Sequence, residues 1–210
     1  MSDHDDHDHD HPHEKLPEGS DELTYYQMME VALRELLVEK GVFSAADVRR
    51  QVEDMDARTP ARGARMVARA WVDPAYKARM LADGSAAAEE IGLEVGPLKL
   101  VVVENTPEVH NLIVCTLCSC YPRMVLGLPP DWYKSRPYRS RAVREPRAVL
   151  AEFGTHVPEN VAVRVHDSTA DMRYLVLPRR PEGTEGWPEE RLAELATRDS
   201  MVGVAFARTP

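Results

Sequence analysis

Cysteine is nearly absent from this chain. There are three in 210 residues, all between positions 115 and 120. Three thiols in one six-residue stretch cannot make a disulfide framework, which needs pairs spread along the chain. A fourth cysteine is also missing, so neither a tetrathiolate zinc site nor a four-cysteine iron–sulfur cluster can be completed. No apolar run approaches the length of a membrane span, and the N-terminus carries no signal-peptide pattern. Positive charge is in deficit: 26 Lys and Arg against 35 Asp and Glu give a net charge of −9. That balance argues against nucleic acid or an anionic membrane as partner, and the expected location is the cytoplasm. Internal repeats are lacking too. The apolar content of 43% is enough for a real core in a domain of ordinary size.

The three cysteines read Val114-Cys115-Thr116-Leu117-Cys118-Ser119-Cys120-Tyr121. A C-x-x-C-x-C cluster packs three soft ligands into one turn. In Cys118-Ser119-Cys120 the two sulfurs fall on the same side of the chain, and the backbone nitrogens of Ser119 and Cys120 point into the same ring. Once deprotonated, those nitrogens can ligate a metal beside the sulfurs. Such a donor set suits a trivalent low-spin metal, with the third sulfur axial and one position open, as catalytic sites require. The motif alone leaves alternatives standing. Structural zinc held by three thiolates and His110, five residues upstream, is one; simple reduced thiols are another. His110, His156 and His166 read as structural residues, since none sits at ligand spacing from the loop.

At these residues the chain resembles the alpha subunit of nitrile hydratase. The octapeptide from Val114 to Tyr121 is that family's metal-binding motif, with Thr116 and Tyr121 as in its cobalt type rather than its iron type. The resemblance includes Ala70-Trp71-Val72-Asp73-Pro74, Val103-Glu104-Asn105-Thr106, Gly127-Leu128-Pro129-Pro130-Asp131-Trp132-Tyr133 and Tyr138-Arg139-Ser140-Arg141. It continues through Arg144-Glu145-Pro146-Arg147, Asp167-Ser168-Thr169, Arg173-Tyr174 and Arg180 to Trp187. It covers most of the chain after Leu23.

The resemblance implies hydration of a nitrile to an amide at a non-corrin Co(III) centre. It makes Cys115, Cys118 and Cys120 metal ligands through sulfur, and Ser119 and Cys120 ligands through backbone nitrogen. Cys115 would be the axial thiolate, Cys118 a sulfinic acid and Cys120 a sulfenic acid, rungs of the ordinary oxidation ladder. Ser119 and Cys120 would be the catalytic residues, Ser119 through a hydrogen bond to substrate and Cys120 as a possible sulfenate nucleophile. Arg173 would support the loop from behind. The implied partners are a beta subunit or split beta-like subunits, which supply arginines to the oxidised sulfurs, and a metallochaperone or activator protein. Two other readings stay open. Tyr121-Pro122-Arg123 and the His/Asp-rich N-terminus are similar to the gamma subunit of cobalt thiocyanate hydrolase. The chain could also be a metal carrier that is inactive alone.

Along the chain, residues 1–22 hold five of the eight histidines, alternating with aspartate, and read as a disordered tail. Its role is solubility or, alternatively, loose gathering of divalent cobalt. Residues 23–95 read as mostly helical. Ser20 with Asp21 and Glu22 marks a helix start, with Tyr26, Met29, Leu33, Leu36 and Leu37 at helical spacing and Gly41 as the stop. Tyr25, Tyr26, Met28 and Met29 read first as core and second as a partner-binding stripe. Ser44-x-x-Asp47 resembles a capping box, while Thr59-Pro60 and Asp73-Pro74 place a cap before proline.

From 96 to 210 the pattern changes to α+β. Leu98–Val103, Leu112–Val114, Val161–Val165 and Tyr174–Leu177 read as strands. Helices are expected from Pro146 through Phe153 and from Pro188 through Thr197, with a last short strand over Met201–Val204. Trp132 reads equally as pocket lining or packing. The fold class is therefore α+β, and the resemblance adds a layered α-β-β-α metal-binding core with an N-terminal helical arm reaching onto a partner.

Overall fold

Local capping chemistry sets most of the helix boundaries. The computed structural model describes residues 23–210. The His/Asp-rich tail and the helix start expected at Ser20 lie outside the described residues. The chain divides into two units, Met1–Arg50 and Gln51–Pro210.

In the first unit, α1 (Tyr25–Glu39) starts at Thr24. Gln27 N–H donates to Thr24 Oγ1 at 3.2 Å, and Thr24 N–H to Gln27 Oε1 at 2.8 Å, a reciprocal capping box. The helix ends ahead of Gly41, whose φ of 67° is left-handed. α2 (Ala45–Ala57), which begins in this unit and ends in the second, opens on the expected box: Ser44 N–H donates to Asp47 Oδ2 at 2.8 Å and Asp47 N–H to Ser44 Oγ at 3.1 Å. The reading of Tyr25, Tyr26, Met28 and Met29 as core is overturned. α1 buries no residue, and all four are exposed. Helical spacing reports that a face is apolar, not what covers it.

The second unit holds the core. α3 (Ala61–Val72) buries Gly63, Ala64, Met66, Val67, Ala68 and Ala70 along one side. A Cβ at Gly63 would lie 2.9 Å from both Leu126 Cδ2 and Met201 Sδ, so glycine allows the close crossing there. Thr59-Pro60 departs from expectation: Pro60 itself is the N-cap, and no side chain caps the helix. Asp73 behaves as read, accepting from Ala75 N–H and Tyr76 N–H at the start of α4 (Pro74–Ala82). Asp83 does the same for α5 (Gly84–Glu90).

Two small parallel sheets follow. β1 (Lys99–Glu104) pairs with β4 (Met172–Leu177), from Lys99↔Met172 to Glu104↔Leu177. β2 (Val109–Val114) pairs with β3 (Ala162–Asp167), from Val109↔Ala162 to Val114↔Asp167. Parallel partners need long crossovers. Between β2 and β3 run α6 (Arg123–Leu126), α7 (Asp131–Lys134), α8 (Arg136–Arg144) and α9 (Pro146–Glu152). Five of the six residues of β2 are buried, as a strand covered on both faces should be. Leu100, Leu112, Ile113, Leu175 and Leu177 join Met66, Tyr76 and Tyr133 in one cluster.

The chain ends with α10 (Glu189–Ala193) and α11 (Arg198–Val202). α10 stops short of the expected Thr197. The strand expected over Met201–Val204 is instead the end of α11, capped by Gly203 at φ 93°. The class is thus mixed helix with small parallel sheets, as read at the coarse level.

Candidate metal centre

The cysteine loop begins where β2 ends. Val114 is fully buried and Cys115 is 1% exposed, so the first sulfur is anchored by the core. The parallel register sets Asp167, the last residue of β3, opposite Val114. Its carboxylate accepts from Thr116 N–H at 2.9 Å and from Thr116 Oγ1 at 2.5 Å. From the other side, Arg139 of α8 donates from Nε to Cys115 O at 3.1 Å and from Nη2 to Thr116 O and Leu117 O, both at 2.9 Å. Tyr133 Oη donates to Cys120 O at 2.8 Å, and Tyr138 Oη to Ile113 O at 2.6 Å. Every carbonyl from Cys115 to Leu117, and that of Cys120, is therefore held by a side chain.

With the loop so held, the three sulfurs converge. Cys115 Sγ lies 3.4 Å from Cys118 Sγ, and Cys118 Sγ lies 3.1 Å from Cys120 Sγ. Cys118 N–H donates to Cys115 Sγ at 3.3 Å. Hydrogen bonds from the Cys120 and Cys115 thiols, and from the Ser119 and Cys120 amides, lower the Cys118 pKa to about 7. Burial and the shared proton with Cys118 push Cys120 up to about 12, with Arg173 opposing.

These distances bear on which group the residues fit. Two sulfurs bound at about 2.3 Å to one ion lie about 3.3 Å apart at a right angle and about 3.8 Å apart at the tetrahedral angle. The Cys115–Cys118 and Cys118–Cys120 separations lie nearer the right-angled value than the tetrahedral one. Among the described residues, no His, Asp or Glu joins the three cysteines. His110 is committed elsewhere: Nε2 bonds Gly203 O at 2.7 Å, and Nδ1 lies 3.4 Å from Asn105 Nδ2. His166 Nε2 bonds Asn111 Oδ1 at 2.8 Å. Both histidines are structural, and burial lowers both pKa values. The donor set fits a metal with right-angled ligand positions better than it fits structural zinc.

Cys118 and Cys120 open onto a cavity of about 450 Å³. Cys118, Ser119 and Cys120 line it together with Arg173, Arg123 and Arg58. Arg173, at the second position of β4, donates from Nη1 to the carbonyls of Thr169 and Met172. Of the site residues expected from the sequence, Cys118, Ser119, Cys120 and Arg173 line this cavity, while the buried Cys115 does not. The sequence alone assigns no role to Arg139, Asp167 or Tyr133, although each falls within one of the blocks that carry the resemblance, Tyr138–Arg141, Asp167–Thr169 and Gly127–Tyr133. Trp132 resolves as packing, its ring 4.9 Å from Tyr138 and 4.8 Å from Phe153.

Comparison with known proteins agrees with this geometry. The family described as "Nitrile hydratase, alpha chain" matches residues 24–205. The chain is 54% identical over 182 residues to a nitrile hydratase subunit alpha of Rhodococcus sp, covering 85% of this chain and 92% of that one. It is 53% identical to the low-molecular weight cobalt-containing nitrile hydratase subunit alpha of Rhodococcus rhodochrous, covering 85% and 87%. It is 46% identical to the thiocyanate hydrolase subunit gamma of Thiobacillus thioparus, covering 90% and 82%. Among solved structures, a recombinant thiocyanate hydrolase with partially modified cobalt centres superposes with a TM-score of 0.84 at 44% identity, covering 89% and 92%. An Fe-type nitrile hydratase variant from Comamonas testosteroni Ni1 gives 0.82 at 44% identity, covering 90% and 94%.

Proposed function

Because the chain belongs to the nitrile hydratase alpha-chain family, we propose that it is the metal-bearing subunit of an enzyme that adds water across a nitrile to give the amide. The observation that carries the reading is the convergence of three sulfurs, Cys118 Sγ lying 3.4 Å from Cys115 Sγ and 3.1 Å from Cys120 Sγ, beside a cavity that Cys118 and Cys120 line.

Cys115, Cys118 and Cys120 would hold the metal through sulfur, and Ser119 and Cys120 through backbone nitrogen. Thr116 and Tyr121 within the octapeptide favour cobalt over iron. When bound, such an ion supplies Lewis acidity towards the nitrile nitrogen or towards water. The remaining tasks fall to this chain. Ser119 Oγ orients the substrate by a hydrogen bond at the cavity wall. Cys120, oxidised to sulfenate, offers an oxygen nucleophile or a proton acceptor beside the nitrile carbon. Arg173 holds positive charge near Cys120, where oxidised sulfur carries negative charge.

The rest of the enzyme would come from others. A beta subunit, whole or split, would close the cavity and add arginines to the oxidised sulfurs. An activator protein would load the metal. α1 would be the arm that reaches the partner, and residues 96–210 a layered α-β-β-α core. Among the described residues no helix is long and apolar enough to cross a membrane, in keeping with a cytoplasmic enzyme.

A specific observation favours a second substrate. Arg123, within Tyr121-Pro122-Arg123, lines the cavity with Arg58 and Arg173, and no acidic side chain does. Three guanidiniums suit an anion, so thiocyanate is the second reading. Turnover of propionitrile against thiocyanate by the assembled, cobalt-loaded complex separates the two. Peptide mass spectrometry of the same sample should find two added oxygens on Cys118 and one on Cys120. Three unmodified thiols in active protein would refute the assigned ligand chemistry.

A further inference from the structure

α8 carries an arrangement of which the metal centre uses only Arg139. Arg136, Arg139, Ser140, Val143 and Arg144 fall at i, i+3, i+4, i+7 and i+8, which is one face of the helix. With Thr116 of the cysteine loop they line a surface cavity of about 610 Å³. Three guanidiniums share that face, and among the described residues none of them forms an ion pair. The contrast is local: Arg141, off this face, is paired with Glu145 at 2.6 Å and Glu152 at 2.5 Å. The whole chain has 35 acidic residues against 26 basic ones. Like charges gathered without counter-charge repel one another, and an acidic chain had carboxylates to place there. Val143, 44% exposed, gives the face an apolar centre.

Arg139 ties this face to the metal loop. A guanidinium has five N–H groups. Three are taken by the carbonyls of Cys115, Thr116 and Leu117. The two on Nη1 reach no acceptor among the described residues. One side of the guanidinium thus sets the loop, while the other can take a carboxylate oxygen in a charge-assisted bond. Arg136 and Arg144, eight residues apart, stand about 12 Å apart along the helix axis. An extended segment with carboxylates about four residues apart spans the same distance.

We propose that this face of α8 docks a carboxylate-bearing segment of the partner subunit, and that Arg139 transmits the docking to the cysteine loop. The inference rests on the reading of this chain as one subunit of a larger enzyme only for the identity of the partner. An acidic segment laid across Arg136, Arg139 and Arg144 neutralises their mutual repulsion. It also fixes the Arg139 guanidinium, and with it the three loop carbonyls that Arg139 holds. Assembly would in this way stiffen the metal loop from outside the cavity.

The test uses the full-length chain and a fluorescein-labelled decaglutamate peptide as probe. Fluorescence anisotropy should show saturable binding at low ionic strength that weakens as salt is added. Arg136→Gln/Arg144→Gln should bind at least tenfold more weakly with an unchanged far-UV circular dichroism spectrum. Hydrogen exchange of the amides from Thr116 to Cys120 should slow when the unsubstituted protein is saturated with peptide. Arg139→Lys keeps the charge but loses the fork, so it should bind the peptide without that slowing. No binding by the unsubstituted chain, or equal binding by the double variant, overturns the docking site. Loop exchange indifferent to bound peptide overturns the transmission. Neither readout uses nitrile turnover. An isolated chain that ignores the peptide although its assembled complex hydrates nitriles refutes this inference alone, and an isolated chain that binds the peptide although its complex leaves nitriles unchanged refutes only the assigned activity.

Discussion

Arg139 reaches three successive carbonyls of the cysteine loop while Asp167 holds Thr116 from the other side. With its carbonyls fixed outward, the loop turns the amides of Ser119 and Cys120 towards the sulfurs, where they already lower the Cys118 pKa. On the proposed ligand set, each cysteine removed would delete a ligand and a negative charge that favours a trivalent metal. Cys115→Ala, Cys118→Ala and Cys120→Ala should therefore each lose cobalt, read as metal per chain by atomic emission. A fully loaded, fully active variant would contradict the ligand set. Arg173→Ala should be milder, lowering turnover per bound cobalt by about 10–100-fold, as loss of a group behind the ligands does. The three thiols were legible in the sequence because a metal loop is local: six residues carry it. Arg139 and Asp167 were not, because their partners lie far along the chain and become neighbours only through the β2–β3 register and the placement of α8.

Between elements, a buried polar network locks β2 to the end of α11. His110 Nε2 donates to Gly203 O, Asn105 Oδ1 accepts from Asn111 N–H at 2.7 Å, and Thr155 Oγ1 donates to Val204 O at 2.7 Å. Burial lowers the His110 pKa below its ordinary value near 6.5. The folded state thus resists protonation more than the unfolded chain does. Stability from this group is complete above about pH 6.5 and falls as the pH drops towards the folded pKa. Thermal melts between pH 7.5 and 5 should show a loss that shrinks in His110→Gln, and an identical slope in both proteins would contradict the assignment. Gly203, at φ 93°, packs its α-carbon against the Asn111 carbonyl, leaving no room for a Cβ. Gly203→Ala should cost at least about 1–3 kcal/mol in urea unfolding. This corner is also where sequence reasoning failed. Met201–Val204 is a short apolar run, which periodicity cannot assign to strand or helix. The Thr197–Ser200 capping box was the available signal. The helices around Ser44 and Asp73 were legible because their caps are written in adjacent residues. The parallel strand pairs were not, since no local pattern names a distant partner.

For the whole molecule, the unresolved demand is at α1. Tyr26, Met29, Leu33 and Leu36 lie along one side of the helix, and they are 81%, 52%, 57% and 45% exposed. A 15-residue helix with no buried residue gains little from propensity alone, because helices of that length are marginal in water without packing. Its Thr24–Gln27 box supplies one good start and nothing that covers the apolar side. The partner subunit proposed above would offer the missing surface. Met29→Asp/Leu33→Asp places two charges on that side without touching the cysteine loop. The variant should fail to form the complex with its co-expressed partner, as seen by light scattering. Its isolated chain should keep the same far-UV spectrum, because no core contact is lost. Cobalt per chain measured on the separated subunit should also hold, because the sulfur ligands all belong to the second unit. If the doubly charged variant assembles as tightly as the unsubstituted chain, α1 is not the arm that holds the partner. The apolar face would then need another occupant.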